Sequence, residues 1–109
     1  MANSTLGETI ERLAKTIAAR KAAAPDASYT ASLLAGGPAK CAKKFGEEAV
    51  ELIWAAANES PDRVASEAGD VIYHLLVLLA VRGIDVSAVA AALTAREGQS
   101  GHAEKAARK

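Results

Sequence analysis

Five carboxylates stand in two short motifs, Glu47, Glu48 and Glu51 in EEAVE and Glu67 and Asp70 in EAGD. Residues three and four apart on a helix share one face, so each motif presents its acids together. With about 100° of turn per residue, Glu51 lies about 40° and Glu48 about 100° from Glu47. Lys40, Lys43 and Lys44 fall inside or close to that arc. Taken alone, this stripe fits a solvated face with Lys43–Glu47 and Lys44–Glu48 pairs equally well. The second motif changes the weighing. Glu67 and Asp70 share their stripe with Val64, Val71, His74 and Leu78, and an unpaired carboxylate buried among such residues costs several kcal/mol. A cation, a raised pKa, or Arg63 one turn earlier would relieve that cost.

All five acids are therefore candidate metal ligands and catalytic groups. Hard oxygen ligands, without a Cys set or paired His, select Mg²⁺, with Mn²⁺ next, over zinc. Such an ion shares its shell with substrate phosphates, and a carboxylate outside direct ligation can orient or deprotonate a water attacking an anhydride. Spacing leaves the division between ligand and base open. Lys40, Lys43 and Lys44 are candidates to hold phosphate. His74, one turn beyond Asp70, could hydrogen-bond a ligating carboxylate, against the plainer reading of a satisfied core histidine. Trp54 suits core or subunit packing better than base stacking, and Cys41 suits packing.

Helices must position these residues. Leu6, Ile10, Leu13 and Ile17 recur with helical period, and Thr5 with Glu8 reads as a capping box, which predicts a first helix from about Leu6 to Ala24. Pro25 ends it, and Thr30–Ala35 makes a short helix stopped by Gly36-Gly37. Pro38 opens a long helix to about Asn58, with Phe45, Ala49, Leu52, Ile53 and Ala56 as its core face. Ser60-Pro61 opens a second long helix through residue 82, stopped by Gly83. A link of about two residues predicts that these two pack antiparallel and share one site. Ser87 is the expected cap of a fifth helix through Arg96. Residues 1–97 then form a single all-α domain, an antiparallel bundle of about five helices, and 98–109 a polar, basic tail. Arg96, Ser100, His102, Lys105 and Arg108 of this region are candidates to close over a phosphate.

Composition narrows the partners. Thirteen basic residues balance thirteen acidic ones in 109, so no net field draws the chain toward nucleic acid or an anionic membrane. Half the residues are hydrophobic but only 4% aromatic, which favours helices over sheets. One cysteine fits a reducing compartment. The first residues show no signal-peptide pattern, and the run Val71 to Val81, broken by His74, is short for a bilayer. A cytoplasmic protein is the expectation.

KKFGEEAVELIWAA, followed by EAGDVIYHLLVLLAVRGI, resembles the phosphoribosyl-ATP pyrophosphatases of histidine biosynthesis, within the wider MazG-like all-α nucleotide pyrophosphohydrolases. The paired acidic motifs point only to the wider group. SYTASLLAGG, YHLLVLL and the ending REGQSGHAEKAARK carry the narrower likeness, which spans nearly the whole chain from about Leu6. The resemblance implies hydrolysis of phosphoribosyl-ATP, a small nucleotide, to phosphoribosyl-AMP and pyrophosphate. It also implies Mg²⁺, a cytoplasmic setting and a bundle completed by homodimerisation; at 109 residues, a stand-alone form rather than a fusion is the expectation. It places the acidic motif on Glu47, Glu48, Glu51, Glu67 and Asp70, and the preceding lysine on Lys44. Phe45, Cys41 and Trp54 depart mildly from the pattern. Two competing functions remain: a housecleaning pyrophosphohydrolase of free nucleoside triphosphates, and a non-catalytic helical interaction module.

Overall fold

A computed structural model describes residues 3–99. The proposed tail positions Ser100, His102, Lys105 and Arg108 lie outside the described residues. Five α-helices follow one another, α1 (Leu6–Arg20), α2 (Tyr29–Ala35), α3 (Gly37–Asn58), α4 (Pro61–Val81) and α5 (Val86–Thr94), with a 3₁₀ turn at Pro25–Ala27. Among the described residues there is no strand, and the all-α expectation holds.

Four of the five helices start where a side chain serves the free amides of the first turn; α3 instead opens at Gly36 with Pro38 in its first turn and no side-chain cap. The Thr5 hydroxyl accepts from Glu8 N while the Glu8 carboxylate accepts from Thr5 N, completing the capping box of α1. Ser28 and Ser60 cap α2 and α4, accepting from Ala31 N and Arg63 N. Two helices, α1 and α5, differ from expectation at their ends. α1 stops at Arg20 rather than Ala24, because Pro25 forces the residue before it out of helical geometry and Ala24 is extended at ψ 145. α5 is capped by Asp85, whose carboxylate accepts from Ser87 N at 2.9 Å, so Ser87 lies inside the helix and the helix ends at Thr94. Asp is as good an N-cap as Ser, and Asp85 stands two residues earlier. Between α2 and α3 the chain reverses at Gly37, whose φ of 87° is open to glycine and strained for other residues.

α4 is the central helix, packing on α1, α2 and α3, most extensively on α3. Ile17, Leu33, Cys41, Leu76 and Val77 form the buried core, with Ile10, Leu13, Ile72 and Leu79 around it. The Cys41 thiol donates to Leu33 O at 3.2 Å, tying α3 to α2. By length and composition alone α4 could cross a membrane; in the bundle its apolar residues supply the core for three neighbours.

The packed face of α3 is not the one expected. Ile53 and Ala56 are exposed, whereas Cys41, Ala55 and, partly, Lys44 and Glu48 turn inward with Phe45, Ala49 and Leu52. The inner face is thus rotated by about 60° toward the acidic stripe. Cys41 and Ala55 are small enough to let α3 approach α4 closely, and Glu48 lies between them on that face.

Candidate active site

The rotation of α3 decides which acids meet. Glu48 from α3 and Glu67 and Asp70 from α4 each offer one carboxylate oxygen, and these oxygens lie within 4.8 Å of one another. Glu67 is buried at 6% exposure, Glu48 is half-buried, and Asp70 is exposed. The expectation of apolar surroundings therefore holds for Glu67 and fails for Asp70. Across from Asp70, α3 presents carboxylates rather than aliphatic groups, close enough for the charge of Asp70 to act on Glu51.

Arg63 takes the rival role anticipated for it, but only in part. Its Nη2 donates to Glu67 Oε1 at 2.8 Å and its Nε to Glu59 Oε1 at 3.1 Å. Glu67 Oε2 is buried with no hydrogen-bond partner. A buried acceptor left unmatched costs about 1–3 kcal/mol, more when charged. One guanidinium shared between two acids does not neutralise the three converging oxygens.

Glu51 lies beside this group. Its carboxyl is pushed above the usual range, first by a hydrogen bond shared with Glu48, then by the charges of Glu48 and Asp70 and by burial, against the opposing charge of Lys44. Glu47 is turned to the rim, where Lys44 Nζ lies 3.2 Å from its Oε1. That bond, with Tyr29 nearby, holds Lys44 firmly protonated. Lys40 and Lys43 are exposed and, among the described residues, form no ion pair with the acids. Arg96 sits in the turn after α5, which is not an element that carries the acids.

His74 is buried at 6% exposure, and its Nδ1 has no hydrogen-bond partner, so this nitrogen does not make the expected bond to a carboxylate. Burial, then the charge of Lys44, lowers its pKa. The ring sits edge-on to Tyr29 at 6.4 Å, while neighbouring Tyr73 bonds Thr30 through its hydroxyl. The segments SYTASLL and YHLLVLL thus meet across α2 and α4 beside the acids. Tyr29, Glu59 and Arg63 in its double bond are the neighbours that sequence periodicity did not bring to the site. Glu59 and Arg63 had a readable signal, an i,i+4 Glu-to-Arg pair spanning the α3–α4 turn.

With this geometry in place, the comparisons fit. The family model for phosphoribosyl-ATP pyrophosphohydrolase matches residues 10–97. The chain belongs to that family. It is similar to the phosphoribosyl-ATP pyrophosphatase of Cereibacter sphaeroides strain KD131, 61% identical over 99 residues that cover 91% of this chain and 96% of the relative. The enzyme of the same name from Paracoccus denitrificans is 57% identical over 100 residues, covering 92% and 93%. That of Caulobacter sp. strain K31 is 56% identical over 105 residues, covering 96% and 97%.

Proposed function

We propose that this chain hydrolyses phosphoribosyl-ATP to phosphoribosyl-AMP and pyrophosphate in histidine biosynthesis, in the cytoplasm, with Mg²⁺ held by Glu48, Glu67 and Asp70. The observation that carries the reading is Glu67, whose Oε2 is buried with no partner and whose carboxylate lies in one group with those of Glu48 and Asp70. The all-oxygen donor set fits a hard divalent ion, Mg²⁺ first and Mn²⁺ second. When bound, that ion neutralises charge on the phosphates and makes a bound water a better nucleophile.

The side chains then divide the remaining work. Glu48 and Asp70 form the mouth of the site and Glu67 its floor, where Arg63 fixes one oxygen and leaves the other free. Glu51, beside Glu48 and outside the tightest group, has a raised carboxyl that makes its ionised form a stronger base, and it is placed to take a proton from water as the α–β anhydride breaks. Glu47 orients Lys44, which with Lys40 and Lys43 receives the departing pyrophosphate. His74 supports the site from beneath α2, and Arg96 belongs to the substrate-closing region with the tail. One water is consumed and two phosphate products leave.

A homodimer completes this reading. α5 has the sequence VSAVAAALT, apolar nearly all round, yet buries no residue, and Leu93 is 59% exposed. A recess of about 380 Å³ lined by Ile10, Leu75, Leu79 and Val89 lies between α1, α4 and α5. Such surface suits a second copy better than water.

The test compares phosphoribosyl-ATP with a panel of nucleoside triphosphates in Mg²⁺. Faster turnover of an ordinary dNTP would point instead to the housecleaning activity. Glu48→Ala and Asp70→Ala should each lower kcat about 100-fold or more, since losing a ligand exceeds the roughly 10–100-fold cost of losing an outer partner. Unchanged turnover and Mg²⁺ affinity in both variants would leave only the interaction module.

A further inference from the structure

The acids form one wall of a second feature. A recess of about 380 Å³ opens beside them, lined by Val50, Glu51, Trp54, Glu59, Arg63 and Glu67. We infer that this recess is the subsite for the purine ring of the nucleotide substrate, with Trp54 as the stacking surface. The inference rests on the nucleotide-hydrolase reading above and goes beyond it by assigning the base.

Three observations converge. Glu67 belongs both to the recess and to the acidic group, and Glu51, also in the recess, lies beside that group, so a ring lodged there leaves its phosphates beside the carboxylates. The indole of Trp54 is 64% exposed and Val50 equally so; a flat apolar surface of this kind is stabilised by a stacked ring. The Arg63 guanidinium, which also lines the recess, is held in place by Glu59 and Glu67, a fixed plane suited to lie against a base. Glu59 bonds Arg63 through Oε1, which leaves its second oxygen to accept from an exocyclic amino group.

The order of residues along α3 sets the direction of the substrate. Lys44, Glu48, Glu51 and Trp54 follow one another over ten residues, a rise of about 15 Å. Pyrophosphate then lies at the lysine end, the anhydride over Glu48, and the purine at the tryptophan end near the α3–α4 turn.

Trp54 is the only tryptophan of the chain, so its fluorescence reports this recess alone. Titrating the intact protein with adenosine 5′-monophosphate should change the emission saturably, while pyrophosphate should leave it unchanged. Trp54→Ala should raise KM for phosphoribosyl-ATP about ten-fold with kcat nearly constant, and Trp54→Phe, which keeps a ring, should restore it to within about two-fold. Emission that ignores the monophosphate, or responds equally to pyrophosphate, would overturn the assignment, as would emission that changes only when the protein is diluted, the mark of a subunit contact. Because the titration requires no turnover, it separates failure of the subsite from failure of the proposed hydrolysis.

Discussion

Glu51 is where the like charges of the site are felt most directly. Its carboxyl is raised by sharing a hydrogen bond with Glu48, by the charges of Glu48 and Asp70, and by burial. A raised acid favours folding while it is protonated: its stability contribution is full below the ordinary carboxylate range and is lost as pH rises through the raised folded value. Metal-free Glu51→Gln should therefore melt above the wild type near pH 7, with the two curves converging by about pH 4. Thermal denaturation at the two pH values checks it, and a variant that melts lower near pH 7 would refute the repulsion argument. Adding Mg²⁺ should narrow the gap, because a ligand that binds only the folded state stabilises it.

At the level of helices, the Asp85 cap offers the sharpest test. Asp85→Ala should cost α5 about 1 kcal/mol, whereas Ser87→Ala, inside the helix, should cost little. Hydrogen exchange of the α5 amides reads the difference, and equal protection in the two variants would return the cap to Ser87. The same segment shows how far sequence reaches. Capping residues and prolines mark helix starts by local hydrogen bonding, so Thr5 and Ser60 cap where the sequence places them, while Ser28, in a stretch that reads as turn, caps α2 as well. Asp85 competes with Ser87 for one task, and only backbone geometry decides. The inner face of α3 was legible in period but not in phase. Ile53 is more apolar than Cys41 or Ala55, yet the smaller pair faces α4 because close approach depends on size as well as hydropathy. Glu67 could be read as buried from its neighbours along α4. Asp70 could not, because its exposure depends on what α3 places opposite.

For the molecule as a whole, the main unfinished business is α5. A helix this apolar, with little buried, should take a partner's surface, and Leu93→Asp should convert a dimer to a monomer in sedimentation velocity without unfolding it. A wild type that sediments as a monomer at micromolar concentration would remove the dimer.

The turn between α3 and α4, only Glu59 and Ser60 long, has a further consequence. Glu48, Glu67 and Asp70 all belong to a single helical hairpin, so the contacts between its two helices that build the site close over 19 and 22 residues. Closing a hairpin of that length costs less entropy than joining elements farther apart, and the expectation is that it forms early in folding. The mutual repulsion of the acids then falls on the rate of folding more than on the rate of unfolding. A divalent cation would act during assembly of the chain, as a clasp that lets its two longest helices close.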